Sequence, residues 1–339
     1  MRDRRPAFQW VPHHHVFSDL PTPARVIGEE PLTENGRILD RIAVRTETEL
    51  LLDADAFPVL PLYSYLRPFV TGVAVHSPEQ AKEAARAIAS REIHITVPDG
   101  AEETVRPFLQ NADHVLLPSV SALDLYGPAL QRERRSIGLQ MPQNLPVFDV
   151  TPTRTILLDG LALSMQDDGG PADWEPVLQD LETRYETLLP NLKWIEICGA
   201  AEATGSGYDS RLLSQLLMEM QRRWNVMVYW NPLSAWTHNI GYLIEHVTAL
   251  HIADGRQVAS VDGPLPPDAP LFGALEPGRN KVDVCLEGTD GSRRAVSFDH
   301  PLRVGSLMVF GNMAGQDGFF RPGLWFQHEG GSFTPAEEL

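Results

Sequence analysis

Runs of β-branched and aliphatic residues alternate along this chain with segments whose apolar residues recur every three or four positions. The short apolar runs are typical of buried strands, and the longer period is typical of amphipathic helices. Strands that alternate with helices predict a parallel sheet, because a helix carries the chain back before the next parallel strand begins. Eight strands are predicted, at Glu49–Phe57, Thr71–Ser77, Glu92–Pro98, His114–Ser119, Ser136–Pro142, Thr153–Met165, Lys193–Gly199 and Val226–Pro232.

Helical periodicity fills most of the intervals between these strands. The segment from Ser210 carries Leu213, Leu217 and Met220 at helical spacing, which predicts a helix packed on the core. Ser77 followed by Pro78 is a typical helix start, since serine caps free amides and proline suits the first turn. The predicted helices are Pro78–Ala89, Ala101–Gln110, Ala122–Arg132, Trp174–Leu189 and Ser210–Trp224.

The number and spacing of these units predict the fold class. Most strands follow one another at intervals of about 20–25 residues, which is short but normal for an eight-stranded barrel. We therefore expect an α/β protein with a (β/α)8 TIM-like barrel. Gln143–Pro152 has no helical period, so one barrel helix is expected to be missing or very short.

Beyond Ile244 the helical periodicity stops, and glycine, proline and aspartate punctuate short β runs. This change predicts a C-terminal all-β domain. The predicted organisation is an N-terminal extension over residues 1–19, the barrel over residues 20–244 and the β domain over residues 245–339. The β runs are His246–Ile252, Gln257–Val261, Lys281–Leu286, Arg294–Phe298 and Ser306–Phe310.

Composition limits the classes of partner and the cellular compartment that we expect for this protein. The 339-residue chain is 43% hydrophobic and 22% charged, as in ordinary globular proteins. Its formal net charge of −17 disfavours nucleic acid and anionic membranes as partners, since both prefer a basic face. No apolar run approaches the ~20 residues of a membrane span, and no apolar segment of a signal peptide follows the basic start. A cytoplasmic protein is expected, with Cys198 and Cys285 as free thiols.

Two segments resemble a known enzyme family. Leu188–Ile197 reads LLPNLKWIEI and Val228–Pro232 reads VYWNP. Together they resemble the seventh and eighth barrel strands of the carboxynorspermidine decarboxylases, which belong to the fold-type III, alanine-racemase-like pyridoxal-phosphate decarboxylases. The resemblance extends from about Leu20 to Gly330. It implies the barrel, the β domain, a homodimer and a small amine or amino-acid-like ligand.

The groups that hold pyridoxal phosphate in that family do not recur here. The family lysine that forms the Schiff base aligns with Asp55, and a carboxylate cannot form that bond. Cys285 does match the family cysteine that reaches into the partner subunit's site. No cofactor is therefore expected, although a divalent metal stays open as an alternative. The other replacements are Ser164 for a stacking histidine, Cys198 and Ala200 for two phosphate-loop glycines, Asn231 for the carboxylate at the pyridine nitrogen, and Gln316 for a phosphate-contacting tyrosine.

A barrel offers its site at the carboxyl ends of its strands. Asp55 and Glu202 are predicted there as catalytic carboxylates, together with Cys285. The two carboxylates would act as acid and base, bind a cationic amine or chelate a divalent metal. The simpler alternative is that they only fill space vacated by the cofactor. The residues predicted to bind substrate are Asp53, Ser164, Asn231, Ser234 and Gln316.

Three functions are compatible with this pattern, and the first is preferred. It is a repurposed enzyme, independent of pyridoxal phosphate, that acts on an amine- or amino-acid-like small molecule. The second is a non-catalytic pseudoenzyme that regulates or scaffolds an active decarboxylase. The third is a carboxynorspermidine-type decarboxylase that uses one of the chain's lysines, which are Lys82, Lys193 and Lys281.

The histidines give weaker evidence for a functional site. The run His13–His15 lies in the N-terminal extension, and adjacent histidines point in different directions on regular structure. An exposed arm is therefore the simpler interpretation of this run. His76, His94 and His114 lie on predicted strands or at their ends, where we expect partnered core or edge residues.

Overall fold

The computed structural model describes residues 17, 20–89, 91–100, 106–109, 112–141, 149–166, 170–253, 255–267, 269–274, 282–314, 319 and 323–339. The chain forms two compact units. One is Thr33–Trp236, and the other combines the described parts of Pro6–Leu32 with those of Thr237–Leu339. Of the predicted N-terminal extension, only Phe17 is described. Among the described residues, no helix is both long enough and apolar enough to cross a membrane.

The first unit is a closed barrel of eight parallel strands, which confirms the predicted fold class. All eight predicted strands contribute, each shorter than predicted. Ring closure joins the first barrel strand to the last, where Glu49 pairs with Tyr229 and Leu50 with Trp230. The barrel strands are β2 Glu49–Asp53, β3 Gly72–Val75, β4 Glu92–Thr96, β5 His114–Leu117, β6 Ser136–Met141, β7 Gly160–Ser164, β8 Trp194–Cys198 and β9 Met227–Asn231.

Helices with recognisable caps connect these strands. The Ser77 hydroxyl accepts a hydrogen bond from the Gln80 amide at 3.1 Å, and Pro78 occupies the first turn as predicted. Ser119 caps the helix that begins at Val120 in the same way. The helices in the described residues are α1 Glu29–Thr46, α2 Tyr63–Leu66, α3 Pro78–Ala87, α4 Val120–Arg132, α5 Pro152–Leu157, α6 Trp174–Tyr185 and α7 Ser210–Trp224.

The structure differs from the predicted elements at two places, and a third prediction is largely untested. The strand predicted at Thr153–Met165 is in fact α5 followed by β7, because the Thr151 hydroxyl caps a short helix that begins at Pro152. The 18-residue α1 was missed, since Pro31 and Gly36 within it weaken its helical signal. The predicted helix at Ala101–Gln110 lies largely outside the described residues, and Arg106–Leu109 forms a 3₁₀ turn.

The second unit is built on one sheet of eight strands. Its order is β13-β12-β11-β10-β1-β15-β16, with β14 paired to β10. The N-terminal strand β1 pairs antiparallel with β10 and parallel with β15, so residues near Ala24 belong to this sheet, whereas the sequence had assigned them to the barrel. The strands are β1 Ala24–Gly28, β10 Gly241–Ala253, β11 Arg256–Val261, β12 Val282–Glu287, β13 Arg293–Phe298, β14 Leu307–Phe310, β15 Leu324–Gln327 and β16 Phe333–Pro335.

A buried acid lies within this second unit. Glu245 on β10 is 0% exposed, and neither carboxyl oxygen has a hydrogen-bond partner among the described residues. Burial, followed by the charges of Asp262 and Asp290, raises the pKa of Glu245 to about 8. A carboxyl group without partners is costly to bury in its charged form, so the folded state favours protonated Glu245.

Glu245 should therefore make the stability of the protein depend on pH. Its pKa is higher in the folded chain than the ~4.3 expected in the unfolded chain, so stability falls as pH rises from about 4 to about 8. We expect Glu245→Gln to leave the free energy of unfolding unchanged near pH 4 and to raise it by at least about 3 kcal/mol near pH 8. Urea denaturation across this range measures the difference.

The exposed Glu337 provides the matched control. Glu337→Gln should leave the pH dependence of stability as it is in the wild type. If Glu245→Gln changed the free energy of unfolding equally at pH 4 and pH 8, the raised pKa of Glu245 would be contradicted.

Candidate functional site

The interior of the barrel is unusually polar. Strands of such barrels commonly direct branched aliphatic residues inward. Here the central cluster includes Leu51, Leu116, Ala162, Trp194 and Tyr229. Charged and polar side chains lie buried beside it, and Glu196, His94 and Asn231 are each at most 1% exposed. A buried polar group requires a partner, so the partners of these residues define candidate sites.

Asp53 is the central residue at the carboxyl end of the strands. It is the last residue of β2, and it is 5% exposed. Its Oδ1 accepts hydrogen bonds from the amides of Asp55 and Ala56, at 2.9 and 3.0 Å. Its Oδ2 lies 3.0 Å from Nδ2 of Asn231 and 3.3 Å from Nε2 of His76. Because β2, β3 and β9 are neighbours in the barrel, their parallel ends bring these three side chains together.

The charges of Asp53 and His76 stabilise each other. Burial alone would raise the pKa of Asp53, but hydrogen bonds from His76, Asn231 and the Ala56 amide outweigh it, and the pKa of Asp53 is lowered. Burial alone would lower the pKa of His76, but the hydrogen bond to Asp53 and the charges of Asp53 and Asp55 outweigh it, and that pKa is raised. The site therefore favours a carboxylate beside an imidazolium.

Asp55 differs from Asp53 in exposure and partners. Its side chain is 63% exposed. The Gln80 side-chain amide donates to Oδ1 of Asp55 at 2.7 Å, and Oδ2 of Asp55 lies 3.9 Å from Nε2 of His76. The sequence aligned Asp55 with the family lysine, and that alignment stays a prediction. In the structure, the buried residue at the carboxyl end of β2 is Asp53. Whether the family lysine corresponds to Asp53 or to Asp55, its place is taken by an aspartate.

The other predicted barrel residues lie at or just beyond the same ends of the strands. Asn231 ends β9, and its Oδ1 accepts from the Leu233 amide at 3.1 Å while Nδ2 donates to Asp53. Ser164 is exposed at the end of β7. Glu202 and Ser234 are exposed in the segments after β8 and β9. The described partners of Asp55 are Gln80 and His76 rather than Glu202, its predicted catalytic companion.

Of the remaining predicted residues, only Cys285 is described by the structure. Cys285 is half-buried on β12 of the second unit, and its Sγ lies 3.7 Å from the carbonyl oxygen of Leu286. Its proposed role in a site shared between subunits stays a prediction, as does the homodimer. Gln316 and His13–His15 lie outside the described residues.

Sequence reasoning missed two members of the site at the carboxyl end. His76, interpreted as a core or edge residue, binds Asp53, and Gln80 binds Asp55 through the first turn of α3. The signal was present in the position of His76 directly after β3, because residues that follow parallel strands gather at one edge. Gln140 and Thr96, whose side chains lie 3.4 Å apart near the ends of β6 and β4, extend this polar edge.

A second polar network crosses the middle of the barrel. Nδ1 of His94 on β4 lies 2.8 Å from Oε2 of Glu196 on β8, and these strands are not neighbours. Cys198 lies between this pair and the carboxyl end, with Sγ 3.4 Å from Oε1 of Glu196. Burial and the adjacent Glu196 raise the pKa of Cys198 well above its usual value. Cys198 is therefore a neutral thiol and a poor nucleophile.

The described residues do not fit pyridoxal phosphate bound through a Schiff base, the cofactor that the resemblance implies. Lys82 is exposed on α3, and Lys193 pairs with Asp159 at 2.6 Å just before β8, at the amino end of the strands. Lys281 lies outside the described residues. Gly199, the remaining glycine of the predicted phosphate loop, is closely packed, since a Cβ there would lie 2.6 Å from the carbonyl oxygen of Met165.

Comparison with known proteins gives related enzymes but no matching family profile. The chain is 23% identical over 335 residues to the carboxyaminopropylagmatine decarboxylase of Synechocystis sp., covering 88% of this chain and 85% of the relative. It is 19% identical over 359 residues to the carboxynorspermidine/carboxyspermidine decarboxylase of Herminiimonas arsenicoxydans, covering 94% and 97%.

Solved structures agree in fold. The carboxynorspermidine decarboxylase of Campylobacter jejuni, complexed with norspermidine, superposes with a TM-score of 0.81 at 18% identity, covering 93% of this chain and 96% of that one. The lysine/ornithine decarboxylase of Vibrio vulnificus, complexed with cadaverine, superposes with a TM-score of 0.67 at 11% identity, covering 93% and 96%. With similarity along most of the sequence and the same fold, the chain is a divergent relative of the carboxynorspermidine decarboxylases.

Proposed function

We propose that this protein binds an amine- or amino-acid-like small molecule at the carboxyl end of its barrel and acts on it without a Schiff base to pyridoxal phosphate. The observation that supports this most directly is the contact between Asp53 and His76 at the carboxyl ends of β2 and β3. Side chains that bear charge, rather than an apolar plug, occupy this end of the barrel. The substrate class rests on the related enzymes, whose names refer to carboxylated polyamines.

Each residue has a distinct part in this proposal. The exposed carboxylate of Asp55, fixed by Gln80, would bind an ammonium group of the ligand. His76 would transfer a proton to or from the ligand, since no described residue hydrogen-bonds to its Nδ1 and its side chain is 33% exposed. Asp53 would orient the imidazole and stabilise its protonated form, as a buried carboxylate does beside a catalytic histidine.

Binding of norspermidine, followed by calorimetric titration, tests the ligand class. Asp55→Asn and Asp53→Asn should each weaken binding by about 10- to 100-fold, because each removes one charged partner of an ammonium or imidazolium group. The control is Glu47→Gln, which changes an exposed acid before the amino end of β2 and should leave affinity unchanged. Unchanged affinity in both aspartate variants would contradict the proposal.

A carboxynorspermidine-type decarboxylase is the second candidate, and the names of the relatives favour it. Spectra of the protein with added pyridoxal phosphate, before and after borohydride reduction, separate the two candidates. Under the proposed function, mass analysis should find no lysine-linked pyridoxyl group. A stoichiometric adduct on Lys281, with release of carbon dioxide from carboxynorspermidine, would replace the proposal by this second candidate.

A further inference from the structure

Three side chains with metal-binding atoms converge at the amino end of the barrel. Glu92 and His94 lie on β4, and strand pairing places His94 directly beside His114 on β5. The two imidazole rings stack with centroids 4.2 Å apart. Oε2 of Glu92 lies 3.9 Å from Nε2 of His94 and 3.7 Å from Nε2 of His114. One ligand atom from each residue therefore lies within 4.8 Å of the others.

His94 directs a ring nitrogen without a hydrogen-bond partner toward Glu92 and His114. Its ring is 0% exposed, and Nε2 has no hydrogen-bond partner among the described residues. Nδ1 donates a hydrogen bond to Oε2 of Glu196 at 2.8 Å, since a carboxylate only accepts. A neutral ring held in this way carries its lone pair on Nε2. A carboxylate behind a histidine is the usual device that orients a metal ligand.

His114 is held in a comparable way. Its Nδ1 lies 3.1 Å from Oγ of Ser136, which also accepts a hydrogen bond from Nε1 of Trp194 at 2.8 Å. Nε2 of His114 lies 3.4 Å from the hydroxyl of Tyr229, a long contact that an ion would replace. Both histidines are therefore anchored at Nδ1 and turn Nε2 toward Glu92.

We propose that Glu92, His94 and His114 bind one divalent transition-metal ion of the Zn²⁺ class. Two imidazole nitrogens and one carboxylate oxygen form a common ligand set for Zn²⁺, with bonds of about 2.0–2.2 Å. The present separations must shrink by about half an ångström to allow such bonds. The Glu92 side chain is 47% exposed and can rotate to do so. The two stacked imidazole rings must also turn slightly, so that both Nε2 lone pairs point to the ion.

The ion would have access from solvent and a free coordination position. His114 and Tyr229 also line a cavity of about 480 Å³, whose wall includes the basic residues Arg134 and Lys193. Water or a small anion from this cavity would complete the coordination. The site lies at the opposite end of the strands from Asp53, so it is independent of the proposed function.

Cobalt(II) and zinc(II) alone are the probes that test this site. The full-length protein, treated with a chelator and dialysed, should take up one equivalent of Co²⁺ with a visible d–d absorption band that Zn²⁺ abolishes. Glu92→Gln should reduce the affinity at least about tenfold, and His114→Gln should do the same. Because the Glu92 side chain is about half exposed, its variant should keep the thermal stability of the metal-free wild type.

Two controls identify the site. Glu133→Gln changes an exposed acid after α4 and should not affect metal affinity. The triple variant His13→Ala/His14→Ala/His15→Ala removes the other histidine cluster and should keep the absorption band. Loss of the band in the triple variant, or equal Co²⁺ affinity in wild type and Glu92→Gln, would overturn the proposal.

Discussion

Replacing Glu196 by leucine is expected to destabilise the barrel by about 3–5 kcal/mol, because it leaves the buried donor of His94 without its partner. Both side chains are at most 2% exposed, and the hydrogen bond between them spans the barrel from β8 to β4. Breaking a buried pair in this way costs far more than breaking an exposed one. Chemical denaturation of the variant and the wild type measures the loss.

An exposed pair provides the comparison. Arg223 and Glu182 are also joined at 2.8 Å, but on the surface, so Glu182→Leu should cost less than about 1 kcal/mol. The double variant His94→Leu/Glu196→Leu should recover much of the loss, because it removes the orphaned group as well. If the double variant were as unstable as the sum of both single ones, the hydrogen bond would not be the cause.

The second large effect is expected at Gly160. A Cβ added there would lie 2.2–2.4 Å from three atoms of the Trp194 indole, which fills the interior beside Gly160 on β7. The indole cannot move away freely, since its Nε1 donates to Ser136 at 2.8 Å and the ring is 3% exposed. Gly160→Ala should therefore cost about 3 kcal/mol, the upper part of the range for overpacked cores.

Two further variants isolate the clash. Gly330→Ala should have little effect, since a Cβ there meets nothing within 4 Å. Trp194→Leu destabilises by itself, but it should make Gly160→Ala nearly neutral in its background, because the colliding ring is gone. If Gly160→Ala lowered the free energy of unfolding as much in the Trp194→Leu background as in the wild type, the backbone at Gly160 and not the indole would be responsible.

Much of the fold followed from local pattern. Seven of the eight barrel strands were predicted within a few residues, because each is a short apolar run bounded by turn residues, whereas the prediction for β7 included the helix before it. α1 escaped prediction because Pro31 and Gly36 disfavour a helix that tertiary packing nonetheless stabilises. β1 was assigned to the barrel because its partners β10 and β15 lie more than 200 residues further along the chain.

The candidate site was predicted in part. The resemblance predicted Asp53 and Asn231 at the carboxyl end of the barrel, and they are the last residues of β2 and β9. Their binding roles stay predictions. Glu92, His94 and His114 alternate along their strands as inward-facing residues do, but alternation alone does not show that three residues share one point. The sequence likewise did not show that Asp53 is buried whereas Asp55 is exposed.

The sequence by itself determined the (β/α)8 barrel, the C-terminal sheet and the relationship to the decarboxylases, because these depend on periodicities and motifs that each segment carries. Only the tertiary structure decided that Asp53 rather than Asp55 is buried beside His76, and that Glu196 reaches His94. The physical reason is ring closure: it fixes which positions face inward and joins side chains that lie about a hundred residues apart in the chain.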